Sequence, residues 1–156
     1  MPLGAGHPDA ALVGATAADW DARRMFAVTI ADEARRNENF RAVLTTSGHT
    51  QVVVMALKPG EDIGAEVHEH NDQVLTFVQG RVRADVAGES SEVGPGSMVV
   101  VPAGTEHNFT NIGDEVVKLY TIYGPPDHAE DTVHRTKAEA EEAEEKGLDV
   151  PPPEHD

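Results

Sequence analysis

Between Asn39 and Tyr123, short apolar runs of strand length alternate with turn residues. Residues 40–46 form one run. Gln51–Leu57 form a second, with Val52, Val54 and Ala56 on one face and Val53, Met55 and Leu57 on the other. Both faces are apolar, which predicts a strand packed inside and covered outside. Residues 58–61, Lys-Pro-Gly-Glu, make a turn. Strands are predicted over 64–70, ending at Asn71 and Asp72, and over 73–79, ending at Gly80. In 81–87, Val82, Ala84 and Val86 alternate with Arg81, Arg83 and Asp85, the pattern of a half-buried hairpin partner. Residues 91–93 lead to the Gly94-Pro95-Gly96 turn, and 98–101, 107–111 and 116–123 complete the series. Roughly eight or nine short strands with Gly and Pro turns predict an all-β fold, an antiparallel barrel or jelly roll.

The flanks follow other patterns. Residues 1–18 are rich in Gly, Ala and Pro without a period, and read as a mobile tail in which His7 is solvated. In 19–38, Trp20, Met25, Phe26 and Ile30 stand among charges, and 31–36 make a helical turn or two. This segment is expected to cover the barrel of 39–124, anchored by Trp20. Gly124-Pro125-Pro126 stops the strand pattern, and 128–134 are expected to return irregularly over the barrel. A short acidic C-terminal helix is predicted over 136–146. Thr136 caps it, Glu139 completes a capping box, and Gly147 stands at the C-cap. Its faces are Ala and Glu, so it reads as solvated and marginal. The region 125–156 is thus a return, a helix and a Pro-rich tail.

The formal charge is −16, and ten acidic residues fall at or after Glu130. That charge repels a phosphate backbone or an anionic bilayer, which argues against nucleic acid and membrane partners. Hydrophobic residues make up 39%, low for a compact domain, as expected if part of the chain lies outside the core. There is no cysteine, hence no disulfide, thiolate site or Cys nucleophile. The longest apolar run has strand length, and the N-terminus lacks the charged and apolar regions of a signal peptide. A cytoplasmic location is expected.

Two histidine stretches carry the chemistry. His68 and His70 are two apart, so on a strand both imidazoles face one way. His107 supplies a third, and the Gln73 amide oxygen lies near. Three imidazoles and an amide oxygen suit one divalent ion, Mn, Fe, Ni or Zn. Glu66 shares the parity of His68 and His70 and should point into the barrel, either as a general acid or base or in a salt bridge with an arginine at its mouth. Phe109 shares parity with His107 and lines the wall. Tyr120 and Tyr123 could offer hydroxyls but are expected to pack at the strand end. Glu69 and Asp72 read as solvated, and His49, His128 and His134 as surface or mouth residues.

At these stretches the chain resembles the cupin superfamily. Its second motif, Gly-x5-Pro-x-Gly-x2-His-x3-Asn, is met by Gly96, Pro102, Gly104, His107 and Asn111. Pro102 and Gly104 shape the loop that aims His107 inward, and Asn111 can hold the next turn. In the first motif, Gly-x5-His-x-His-x3,4-Glu-x6-Gly, His68, His70 and Gly80 fit, and Gln73 stands where the glutamate belongs. The loop after His70 is then short by one or two residues, and neither Gly60 nor Gly64 meets the leading spacing. The resemblance covers about residues 40–123 and is nearest to small single-domain cupins of the mannose-6-phosphate isomerase-like kind. It implies a double-stranded β-helix with His68, His70 and His107 as metal ligands. Gln73 is implied either as a fourth ligand or as a hydrogen-bond partner of one. Neutral Gln in place of Glu leaves the metal one charge more positive, a stronger Lewis acid. That implies redox-neutral isomerase, lyase or tautomerase chemistry on a small oxygenated substrate. The alternatives are an Fe-dependent dioxygenase and a non-catalytic small-ligand-binding cupin. Strand exchange into a homodimer is expected.

Overall fold

The computed structural model describes residues 25–153. The tail expected over 1–18 and the Trp20 anchor lie outside the described residues. A short helix, α1 (Ile30–Arg36), precedes nine strands: β1 (Arg41–Thr46), β2 (Gln51–Leu57), β3 (Glu66–Val67), β4 (Asp72–Gln79), β5 (Val82–Val86), β6 (Glu89–Val93), β7 (Met98–Val101), β8 (Glu106–Asn111) and β9 (Val117–Gly124). β10 (Val133–His134) and the helix α2 (Lys137–Glu145) follow. The fold is the expected antiparallel jelly roll. A six-stranded sheet in the order β10-β1-β2-β9-β4-β7 faces a four-stranded sheet in the order β3-β8-β5-β6.

Alternation decides what lies between the sheets. Val53, Met55 and Leu57 of β2 enter the core with Val117, Leu119 and Tyr123 of β9, Leu75 and Phe77 of β4, Val82 and Ala84 of β5 and Phe109 of β8. The opposite face of β2 is covered as expected. Ala34 of α1 is fully buried and packs with Ala42 and Val54, flanked by Ile30, Leu44, Val78 and Tyr120. Lys118 ties this helix down by donating to the Asn37 carbonyl just past its end. No described helix is long and apolar enough to cross a membrane.

Three expectations change. The strand predicted over 64–70 contracts to Glu66–Val67, and the chain bends at Glu69 and His70. The return over 128–134 is more regular than expected, because β10 adds to the sheet edge beside β1. The acidic helix is not wholly solvated. Thr136 caps it by accepting from Glu139 N at 3.1 Å, while Ala140 is buried in the core cluster. A single small side chain at the contact lets an otherwise polar helix dock.

Gly80 ends β4 at φ +92°, where a Cβ would meet Val117 Cγ2 at 2.7 Å and Val117 Cα at 3.1 Å. Gly96 also has positive φ, +86°, but open space around it. Gly80→Ala should therefore lose about 2–4 kcal/mol and Gly96→Ala about 1–2 kcal/mol. Urea unfolding of the two variants should show this order.

Candidate metal centre

Glu66 and His107 oppose each other across the β3–β8 ladder. Directly opposed residues of an antiparallel pair project from one face together, so this register alone brings a carboxylate to an imidazole. His68 follows two positions on, just past β3, and keeps the parity of Glu66. Its carbonyl accepts from Gly104 N at 2.8 Å, so the loop before β8 also sets the position of His68. In the resulting cluster, Glu66 Oε1 stands 3.1 Å from His68 Nε2 and 3.7 Å from His107 Nε2. One ligand atom from each of Glu66, His68 and His107 lies within 4.8 Å of the others, so the three can hold one metal ion.

The hydrogen bonds around the cluster show which atoms remain free. His107 Nδ1 lies 2.9 Å from the Thr105 carbonyl, which can only accept. Nδ1 therefore carries the proton and Nε2 the lone pair, and Nε2 is buried without a hydrogen-bond partner. Gln73, 1% exposed, donates through Nε2 to Thr121 Oγ1 and to Tyr123 OH, both at 3.1 Å. That fixes the amide and leaves its Oε1 buried and unpartnered as well. Buried acceptors without donors are costly unless a positive group meets them. A divalent ion satisfies both, so the residues fit a metal held by Glu66, His68 and His107, with Gln73 Oε1 available as a fourth ligand.

A family model described as a cupin domain matches residues 53–123. YrkC of Bacillus subtilis is 45% identical over 127 residues, which are 77% of this chain and 68% of that protein. The protein L612 of Acanthamoeba polyphaga mimivirus is 38% identical over 110 residues, 67% of this chain and 68% of its own. The chain belongs to the cupin superfamily. Among solved structures, BH2720 from Bacillus halodurans is 43% identical with a TM-score of 0.76, over 78% of this chain and 96% of that one.

In this cupin the first motif runs two residues earlier than its histidines suggest. His70 is exposed in the bend after β3 and lies outside the cluster, because the alternation that would turn it inward ends with the strand. Glu66 takes its place. The motif then reads Gly60-x5-Glu66-x-His68-x4-Gln73-x6-Gly80, and every spacing is met. That signal was available in the sequence. The short loop and misplaced glycine disappear once a glutamate is allowed in the first ligand position.

Other groups near the cluster come from segments with no metal-ligand spacing in the sequence. Asp127 Oδ1 lies 3.3 Å from His68 Nδ1, placing a carboxylate behind the imidazole as is usual for metal-binding histidines. His128 is buried rather than at the surface, and its Nδ1 lies 2.7 Å from Asp149 Oδ2. Tyr123 stands edge-on to both His68 and His128, with centroids 5.6 and 5.1 Å away. Asn111 behaves as expected: it donates to the Leu57 and Glu115 carbonyls and accepts from Gly113 N. Phe109 lines the wall beneath His107, with ring centroids 6.1 Å apart. Glu69 and Asp72 are exposed, and Asp72 accepts from Ala103 N.

Without a metal the centre is an ion pair. Burial alone pushes His68 down from 6.5, but hydrogen bonds to Asp127 and Glu66, with their charges, raise it to about 10. Burial pushes Glu66 up from 4.5, yet the neighbouring His107 imidazole, the hydrogen bond from His68 and the charges of His68 and Arg41 bring it down to about 2. The His68 contribution to stability is complete below 6.5 and lost as pH rises through about 10. The Glu66 contribution is complete above 4.5 and lost as pH falls through about 2. In chelator-treated protein, thermal melts should therefore show this pair stabilising most between pH 4.5 and 6.5, a maximum that His68→Asn flattens. Asp127→Asn should weaken metal affinity by about 10–100-fold in competition with a chromogenic chelator.

Proposed function

We propose that this cupin is a metal-dependent enzyme acting on a small oxygenated substrate by redox-neutral chemistry of the isomerase, lyase or tautomerase type. The observation that carries the reading is the pair of buried, unpartnered acceptors, Gln73 Oε1 and His107 Nε2, beside Glu66 and His68. When bound, a divalent ion such as Mn, Fe, Ni or Zn would polarise a substrate oxygen and stabilise negative charge developing there.

The chain's own residues do the rest. Glu66, whose parity suits either a general acid or base or a salt bridge, lies 3.1 and 3.7 Å from the two imidazoles, which supports a role as anionic ligand. Tyr123 is better placed to move a proton. Burial holds its phenol well above the ordinary value of 10, so it stays protonated at neutral pH. Its oxygen already accepts from Gln73 Nε2, which leaves its own proton free to be donated to a substrate oxygen. Thr121 gives its proton to the Val74 carbonyl and so only steadies Gln73. Asp127 orients the His68 ring.

Glu66 also returns the negative charge that Gln73 lacks, so charge alone no longer favours redox-neutral chemistry. A wall of Tyr123, Thr121, Asp127 and His128, rich in proton-carrying groups, supports that reading instead. A second reading rests on ligand type, since two histidines and one carboxylate are also the set of non-haem Fe(II) oxygenases.

The two readings separate in D2O. Metal-loaded protein should catalyse C–H exchange in a panel of small 2-hydroxy and 2-oxo compounds, followed by NMR. Exchange should vanish with chelator and slow by about 10²–10³-fold in Tyr123→Phe. Oxygen uptake by the Fe(II) form without exchange would move the assignment to a dioxygenase. Neither activity would leave a small-ligand-binding cupin.

A further inference from the structure

Arg41 opens β1 opposite Met55 on one side and His134 on the other. Met55 belongs to the core, so Arg41 lies on the inner face, and it is only 7% exposed. Its Nε is buried without a hydrogen-bond partner. Among the described residues no carboxylate is within ion-pair distance of it. Among the described residues its guanidinium meets the Phe40 ring, with Cζ 5.3 Å from the centroid, a contact that leaves the N–H donors free.

The carboxylates inside the barrel are already engaged. Asp149 accepts from His128 Nδ1 at 2.7 Å and from Ala129 N at 2.9 Å. Glu66 Oε1 and Asp127 Oδ1 are held by His68. Arg41 shares that interior, because it is buried on the inner face between core Met55 of β2 and His134 of β10. The unpartnered buried polar atoms of the described residues thus include two kinds. Gln73 Oε1 and His107 Nε2 are acceptors at the metal centre, whereas Arg41 Nε is a donor on the inner face, beside His134 across the β1–β10 pairing. Orphaned acceptors fit a cation. An orphaned guanidinium, always charged and built as a planar fork, fits an anion and above all a carboxylate. A buried cation with no partner lowers stability, so an apolar side chain of similar length would serve the empty barrel better.

We propose that Arg41 is the anion receptor of this site, binding the carboxylate of a small hydroxy- or oxo-carboxylate whose other oxygen lies at the metal centre. The oxygen end rests on the function proposed above, whereas the carboxylate end rests on Arg41 alone.

The test titrates glycolate, L-malate and citrate, with glycolamide and malamide as neutral counterparts, into Zn(II)-loaded and chelator-treated protein by calorimetry. At least one carboxylate should bind, at least about 10-fold tighter than its amide. Arg41→Met should weaken that binding by at least about 30-fold, and Arg41→Lys by less, with metal content unchanged. Carboxylate binding that depends on Arg41 in protein that takes up no metal would sustain this inference while the proposed function fails. Ligand-free Arg41→Met should melt at or above wild type, by about 2–4 °C, and the order should reverse at saturating ligand. Equal binding of acid and amide, no binding of any carboxylate, an unaffected Arg41→Met, or a ligand-free melt below wild type would each overturn it. The last result would make Arg41 a structural partner.

Discussion

The candidate site depends on the pairing of the 60–68 segment with β8. β3 has only two residues, too few to hold a register unaided, yet the segment is tied to β8 along its whole length. Gly60 N donates to Asn111 O, Asn111 N to Glu61 O, and Ile63 N to Phe109 O. Gly64 N donates to the Asn108 side chain, Glu66 and Val67 pair with His107 and Glu106, and Gly104 N closes on the His68 carbonyl. β8 is itself fixed from the other side by β5, where Val86 opposes His107. The ligands from the two motifs meet because one backbone ladder aligns them, and the Gly60-x5-Glu66 spacing reflects that alignment.

Strands, turns and the second motif were legible because their signals are local. Alternation in β5 and the shared parity of His107 and Phe109 in β8 mark which side chains turn inward, and the Pro102–Gly104 loop announces that His107 does so. Alternation would turn His70 inward, but β3 is only two residues long and the bend beyond it leaves His70 exposed. Asp127, His128, Asp149 and Arg41 had no sequence signal at all. They reach the interior through contacts between distant segments, such as Gln51 Oε1 accepting from His128 N at 2.9 Å, and no local pattern encodes such a contact.

The electrostatics divide the molecule in two. The segment from Glu130 onward carries seven of the sixteen net negative charges, ten acidic residues against Arg135, Lys137 and Lys146, and most of those acids are exposed. Inside, carboxylates and imidazoles alternate from Glu66 through His68, Asp127 and His128 to Asp149. That arrangement holds the centre together before any metal arrives, because a proton on His68 does part of the ion's work. It also joins the C-terminal return to the metal centre, so the residues after the barrel form part of the site rather than an appendage.

The most direct measurement is elemental analysis of the untagged chain as purified, beside Glu66→Ala, His70→Ala and His107→Ala. The account predicts about one divalent ion per chain in the wild type and in His70→Ala, and a loss of metal in Glu66→Ala and His107→Ala. Metal lost in His70→Ala but kept in Glu66→Ala, or a wild type that takes up no ion after incubation with divalent metals, would contradict it.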